Sequence, residues 1–132
     1  MINRNLGNIY VVSDSKTLQF IISQIVLNSI KYAKAGERSV IKIDAGEDVE
    51  RAYYFLKITD NGMGVPAADL PFIFDKGFTG NHPELRKATG MGLYLVKKFC
   101  DDLQIEIEVD SQVERGLTLV FLFPIVYKKQ NN

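Results

Sequence analysis

The sequence predicts an α+β domain, a two-layer α/β sandwich in which a mixed sheet of about five strands carries about three helices on one face. Apolar residues recur at helical spacing over residues 18–34 and 91–102, and a shorter helix is predicted over 66–72. Strand-like runs, β-branched and aromatic or alternating between apolar and polar, occupy residues 9–12, 40–45, 52–59, 103–109 and 117–123. The 132 residues are the size of one domain, taken here as residues 1–132.

Local signals mark the ends of these elements. Helix-capping residues at 13–15 precede the first helix, which is expected to end near Gly36. One turn is predicted around residues 46–48, between two strands, and another near 114–116, before the last strand. Pro66 is placed to begin the short helix.

The composition is that of an ordinary globular domain. Sixteen basic residues balance sixteen acidic ones, and 46% of the residues are hydrophobic. This neutral charge gives no support for nucleic-acid binding, and no apolar run reaches the ~20 residues of a membrane span. The N-terminus lacks the pattern of a signal peptide. Cys100, the one cysteine, excludes an internal disulfide and is expected to be buried in a helix rather than reactive.

A line of polar residues runs along the first predicted helix. Gln24, Asn28 and Lys31 are spaced by four and three residues, so they share one face of a helix that is otherwise mostly apolar. A buried polar line costs free energy unless it is paired, and a ligand with phosphates and a cation would pair with it. The amide oxygen of Asn28 suits Mg²⁺, and Lys31 could reach a phosphate. The alternative is that these residues face solvent or bond to neighbouring strands.

A glycine-rich loop, residues 60–64, follows the strand predicted at 52–59. The period of two along that strand puts Asp60 on the same face as its apolar residues. A carboxylate accepts hydrogen bonds, so Asp60 could select adenine through its exocyclic amine. Gly62 and Gly64 would let the backbone pass close to a flat ring. The alternative is an ordinary tight turn after a strand.

A second pair of glycines, Gly90 and Gly92, opens the helix predicted from residue 91. Helix N-termini bind phosphates, because their free N–H groups carry partial positive charge. The preceding residues, 73–90, lack periodicity and predict a lid over a ligand site. Arg86 and Lys87 would meet the terminal phosphates when this lid closes, or else they are solvated loop charges.

Together these segments resemble a known family, the ATP-binding catalytic domain of bacterial sensor histidine kinases, which belongs to the ATPase superfamily of gyrase B, Hsp90 and MutL. The matching segments follow the family's order over nearly the whole chain: residues 24–32 look like the N box, 60–64 the G1 box, 71–78 the F box, 90–93 the G2 box, and Gly116, Leu117, Thr118, Phe121 and Pro124 the closing strand. Residues 75–80 and 92–98 are similar to the bacitracin-sensing type of envelope stress kinase in Gram-positive bacteria.

The resemblance implies ATP and Mg²⁺ as cofactors and gives each matching residue a role. Asn28 would bind Mg²⁺ and Lys31 a phosphate, while Asp60 would bind the adenine amine with Tyr32 packed beside the base. The other implied nucleotide-binding residues are Gly62 and Gly64 in the base pocket, Phe74 and Phe78 at the lid hinge, and Arg86, Lys87, Thr89, Gly90, Gly92, Leu93 and Thr118.

Gln24 separates two branches of this superfamily. Hydrolytic members carry a water-activating Glu four residues before the metal-binding Asn, and a Gln amide cannot accept a proton at neutral pH. Gln24 therefore argues against efficient ATP hydrolysis and fits a kinase whose nucleophilic histidine lies on another domain. His82, the one histidine, is expected to be an exposed residue of the lid, so no catalytic residue is assigned within the chain.

The implied function is that of a Mg-ATP-binding catalytic domain that donates the γ-phosphate to a histidine on a separate dimerisation domain, for relay to a response regulator. The chain would be a cytoplasmic, monomeric fragment of a homodimeric membrane sensor, with a transporter-type sensory partner and no nucleic-acid partner. Two alternatives stay open: a serine kinase of the anti-sigma type, and a nucleotide-binding module without phosphotransfer.

Overall fold

The computed structural model describes residues 15–78 and 92–125. In chain order its elements are α1 (Ser15–Lys31), β1 (Ile41–Asp48), β2 (Tyr53–Asp60), a 3₁₀ helix (Leu70–Phe72), α2 (Gly92–Asp102), β3 (Glu106–Gln112) and β4 (Gly116–Pro124). The strand predicted at 9–12 and most of the predicted lid lie outside the described residues. Neither α-helix in the described part is long and apolar enough to cross a membrane.

The four described strands form one sheet in the order β1-β2-β4-β3, and each pairing between them is antiparallel. Residues directly opposite one another share a face. Ile58 of β2 pairs with Leu119 of β4, which pairs with Val109 of β3, so one face of the sheet is apolar. The mixed sheet predicted from the sequence had about five strands, one of them at residues 9–12. Its other four strands are the four that the structure describes.

Both helices contribute to the core that covers this apolar face. Ile21 and Ile25 of α1 and Val96 and Cys100 of α2 are at most 2% exposed. They form one cluster with residues of the sheet and its approach, namely Ile58, Ile105, Leu117, Leu119, Phe121 and Phe123. The rings of Phe20 and Phe99 also meet edge to face, with centroids 5.4 Å apart, and join α1 to α2. The predicted α+β architecture is thus confirmed.

Cys100 is fully buried, as the sequence predicted. Burial disfavours the charged thiolate and raises the pKa of the Cys100 thiol to about 11. Cys100 therefore packs as a small apolar residue in α2.

Two predicted boundaries near α1 and β1 are wrong. α1 ends at Lys31 rather than at residue 34, because the Tyr32 carbonyl accepts the Met63 N–H at 2.8 Å and does not continue the helix. The turn predicted at 46–48 is part of β1. Gly46 lies in that strand, where it pairs with Phe55 of β2, and the chain turns instead at residues 49–52.

Two later boundaries also differ from the prediction. The short helix expected over 66–72 is reduced to a 3₁₀ turn, since Pro71 has no N–H and Phe72 donates to the Asp69 carbonyl three residues back. The strand expected from residue 103 begins at Glu106. The intervening residues cap α2: Gln104 adopts a left-handed φ of 59°, and the Ile105 N–H donates to the Cys100 carbonyl at 2.8 Å.

Candidate functional site

Asp60 ends β2 on the helix-covered face of the sheet, as the strand period predicted, and is 8% exposed. Its Oδ1 accepts hydrogen bonds from the backbone N–H groups of Gly62 at 2.9 Å and Leu117 at 3.2 Å. Its Oδ2 lies 3.0 Å from the Ser29 hydroxyl, which donates to it. A carboxylate offers about four acceptor positions. Donors within residues 15–78 and 92–125 fill three of them, and one position on Oδ2 remains.

The loop that follows, residues 61–65, is held between α1 and the β3–β4 turn. The Met63 N–H donates to the Tyr32 carbonyl at 2.8 Å, just beyond the end of α1. The Met63 carbonyl accepts the Glu114 N–H at 2.7 Å on the other side. The two parts on either side of the loop are also joined directly, since the Lys34 Nζ donates to the Glu114 carbonyl at 2.8 Å. The loop therefore has a fixed position between two other parts of the fold.

The glycines of this loop are needed by contacts within the protein. A Cβ on Gly62 would lie 2.6 Å from the Tyr32 carbonyl oxygen, closer than side chains approach backbone. Gly64 has a left-handed φ of 69°, and a Cβ there would collide with the Gln112 carbonyl. Contacts within the protein thus account for both glycines, and their proximity to a base stays a prediction.

The polar line of α1 passes the start of α2. A Cβ on Gly92 would lie 2.8 Å from the Gln24 Oε1, so the two residues are neighbours. Asn28 lies one turn further on and is partly buried; its side-chain amide has no hydrogen-bond partner in the part of the chain that is described. Lys31 is exposed at the end of α1. These polar groups therefore lie along one side of α1, beginning beside the N–H groups of the first turn of α2.

The aromatic and apolar residues predicted for the site are half-buried. Burial raises the pKa of the Tyr32 phenol above its ordinary value, and the Tyr32 backbone anchors the loop. Phe74 and Leu93 pack against the core cluster. Phe78 lies within the predicted lid and is the last residue described before the gap at 79–91; its N–H donates to the Asp75 carbonyl at 3.2 Å. Phe74 is thus anchored at the edge of the core, and its role as a lid hinge stays a prediction.

Thr118 does not belong with these residues. It pairs with Thr59, and the two hydroxyls lie 3.3 Å apart on the sheet face opposite to the face that carries Asp60. Leu117, its neighbour, is the β4 residue whose N–H reaches the Asp60 carboxylate. The prediction of Thr118 as a nucleotide-binding residue is therefore corrected by the strand register. The predicted residues Arg86, Lys87, Thr89 and Gly90 lie outside the described residues.

Ser29 is a site residue that sequence reasoning missed. It follows Ile21 and Ile25 at intervals of four, so it belongs to the buried stripe of α1, and it is 5% exposed. A polar residue at a core position requires a hydrogen-bond partner, and that partner is Asp60. The spacing of four residues was the signal that could have found it.

The described residues contain no group of three or more His, Cys, Asp or Glu side chains able to hold a metal. The absence of such a group from the described residues does not exclude Mg²⁺, since this ion keeps several waters and takes few protein ligands beside phosphate oxygens. The partly buried amide of Asn28, which has no hydrogen-bond partner among residues 15–78 and 92–125, offers an oxygen ligand of the required kind. The residues present therefore fit a cation that is bound mainly through a nucleotide.

Comparison with known proteins shows the family to which the chain belongs. Residues 13–126 match the family of histidine kinase-, DNA gyrase B- and HSP90-like ATPases. Because the match spans most of the 132 residues, the chain belongs to this ATPase family, as its sequence motifs predicted. ATP is therefore the nucleotide class of this domain.

Two relatives in sequence are named as a sensor protein and a sensor histidine kinase. The chain is 41% identical over 116 residues to the sensor protein BceS of Bacillus subtilis strain 168, covering 87% of this chain and 33% of that protein. It is 42% identical over 115 residues to the sensor histidine kinase GraS of Staphylococcus epidermidis, covering 86% of this chain and 32% of that one. The chain thus spans about a third of the length of these relatives.

A solved structure supports the fold. The mycobacterial sensor histidine kinase MprB superposes with a TM-score of 0.70 at 21% identity, covering 86% of this chain and 74% of that chain. At this identity the likeness concerns the fold alone.

Replacement of Gly64 by Ala should cost more stability than replacement of Gly36, although both have a left-handed φ. Gly36, at φ 77°, has nothing within 4 Å of the position that a Cβ would take, so Gly36→Ala should cost only about 1–2 kcal/mol of conformational strain. Gly64→Ala should lose a further ~1–3 kcal/mol, because its Cβ meets the Gln112 carbonyl. Urea unfolding of both variants measures the difference, and equal losses would contradict the clamped position of the loop.

Proposed function

We propose that this domain binds Mg-ATP and presents the γ-phosphate to a histidine on another domain of a longer sensor histidine kinase. The observation that carries the proposal is the Asp60 carboxylate, which is buried and accepts three hydrogen bonds from the described residues, so that these leave one acceptor position on it. A carboxylate held in this way is suited to accept the exocyclic amine of adenine. A guanine in the same orientation would present a carbonyl oxygen to that carboxylate and would be disfavoured.

Two contacts of α1 support a proposal for how a nucleotide would lie along this helix. Ser29 touches Asp60, whereas Gln24 neighbours Gly92 at the N-terminus of α2. These two contacts are five residues apart on α1, about 7.5 Å along the helix axis. We infer that the base lies beside Asp60 and that the phosphates lie along the polar side of α1, between Lys31 and the first turn of α2, where N–H groups favour anions.

Asn28 and Lys31 are proposed to act on the phosphate side of this pocket. The Asn28 amide oxygen would hold Mg²⁺ through one protein ligand, and the exposed Lys31 ammonium would approach a phosphate as a point charge. When bound, Mg²⁺ would neutralise phosphate charge that otherwise repels an incoming nucleophile. Gln24 supplies no base for water, so the protein's contribution is to orient the nucleotide.

The activity of the longer protein is inferred from its relatives. BceS and GraS are named as a sensor protein and a sensor histidine kinase, and this chain corresponds to about a third of each. We infer that the longer protein carries a dimerisation and phosphoacceptor domain, acts as a membrane-bound homodimer and passes phosphate to a response regulator. A transporter-type sensory partner belongs to the same proposal.

Asp60→Asn should weaken ADP binding at least about tenfold, because a hydrogen bond to a charged group contributes about 1.5–3 kcal/mol. Isothermal titration calorimetry measures the dissociation constants. Asp110→Asn is the matched control, since Asp110 is exposed on β3 and should leave the affinity unchanged. Unchanged affinity in Asp60→Asn would refute the assignment of the base pocket.

Asn28→Ala should remove the strengthening of ADP binding by Mg²⁺ while leaving the affinity in EDTA within about twofold, since one metal ligand is lost and the base pocket is intact. The measurement is the ratio of dissociation constants with EDTA and with Mg²⁺. Gln19→Ala, an exposed change on α1, serves as the control. An undiminished Mg²⁺ effect in Asn28→Ala would exclude Asn28 as the metal ligand.

The isolated chain should not label itself with γ-³²P-ATP, whereas the longer protein should acquire acid-labile phosphate. The physical reason is that the proposed nucleophile lies on the other domain. His82→Ala, which removes the one histidine of this chain, should leave its background labelling unchanged. Strong acid-labile labelling that disappears in His82→Ala would overturn the proposed transfer between domains.

A further inference from the structure

The Ser29 hydroxyl is placed between two acceptors. Its oxygen lies 3.0 Å from the Ile25 carbonyl and 3.0 Å from the Asp60 Oδ2. A hydroxyl has one proton, so it cannot satisfy both acceptors fully. The Ile25 carbonyl already accepts the helical bond from the Ser29 N–H, and a carboxylate is the stronger acceptor. The Ser29 hydroxyl therefore donates its hydrogen bond mainly to the Asp60 carboxylate.

This hydroxyl fixes Oδ2, the carboxylate oxygen that faces α1. The donors to Oδ1 are backbone N–H groups of Gly62 and Leu117, which no side-chain substitution removes. Among residues 15–78 and 92–125, Ser29 alone donates to Oδ2. Without it, Oδ2 would have two open acceptor positions and a choice of directions for an incoming donor.

We propose that Ser29 is a positioning residue that sets the base selectivity of the pocket, by filling one acceptor position of Asp60 Oδ2 and aiming the other at the 6-amino group of the purine. The inference rests on the proposed function, since it concerns the same nucleotide site. A purine with a 6-amino group donates to the remaining position. A purine with a 6-keto group brings an acceptor against an acceptor and leaves the carboxylate unpaired.

The test compares ADP with inosine diphosphate, which carries the 6-keto group, by isothermal titration calorimetry. Ser29→Ala should raise the dissociation constant for ADP about 5- to 20-fold and that for inosine diphosphate less than about twofold, because only the amino-bearing base uses the aimed position. The preference for ADP should therefore fall by nearly the whole of the first factor.

Three further variants separate positioning from folding. Ser29→Thr keeps the hydroxyl and should retain the preference for ADP within about threefold. Ser29→Cys fills the same space with a much weaker donor and should lose the preference, which keeps the test decisive if Ser29→Ala does not fold. Ser23→Ala changes an exposed serine of α1 and should alter neither dissociation constant.

The outcomes distinguish the two proposals. Equal binding of ADP and inosine diphosphate by the unchanged protein would refute the proposed base recognition itself. A clear preference for ADP that persists in Ser29→Ala and Ser29→Cys would overturn the role of Ser29 and leave the proposed function standing. Equal weakening of both nucleotides would also overturn it, because a purely structural contribution does not depend on the substituent at position 6.

Discussion

The buried carboxylate of Asp60 connects three separate parts of the fold, because each supplies one of its hydrogen-bond donors. Gly62 belongs to the loop after β2, Leu117 to β4 and Ser29 to α1. A buried charge without such donors would cost several kcal/mol, so the positions of these elements are constrained together. The group that we propose to recognise the base is therefore also a structural junction. These three donors explain how a short domain can hold an acid at 8% exposure in one orientation.

The helix α1 serves different purposes on its different sides. Its buried stripe ends in Ser29 and reaches the Asp60 carboxylate, whereas Asn28, the preceding residue, lies on the polar side. A third side carries apolar residues that are 36–58% exposed, namely Ile22, Leu27 and Ile30. Base recognition and phosphate binding would then be arranged by one rigid element. Because neighbouring positions on a helix differ by about 100°, two adjacent residues can take part in two different halves of the same site.

Sequence reasoning succeeded where one local period decides the outcome and failed where a distant contact does. The period of two placed Asp60 on the buried face, and helical spacing placed Cys100 in the core. The end of α1 depends on a residue distant in the sequence, Met63, whose N–H donates to the Tyr32 carbonyl. The face of Thr118 depends on the register between β2 and β4, which no run of residues within β4 reveals. Non-local hydrogen bonds and register therefore account for these errors.

The burial of Cys100 has a practical chemical consequence. A thiol with a pKa of about 11 is ionised in only about one molecule in ten thousand at pH 7, and the thiolate is the form that reacts with alkylating agents and disulfides. Since Cys100 is the one cysteine in the sequence and is buried, we expect the folded chain to resist maleimide coupling. A cysteine introduced at an exposed site could thus carry a fluorophore or spin label without first removing the natural one. A pair of such cysteines would allow a distance within the folded domain to be measured without a signal from Cys100.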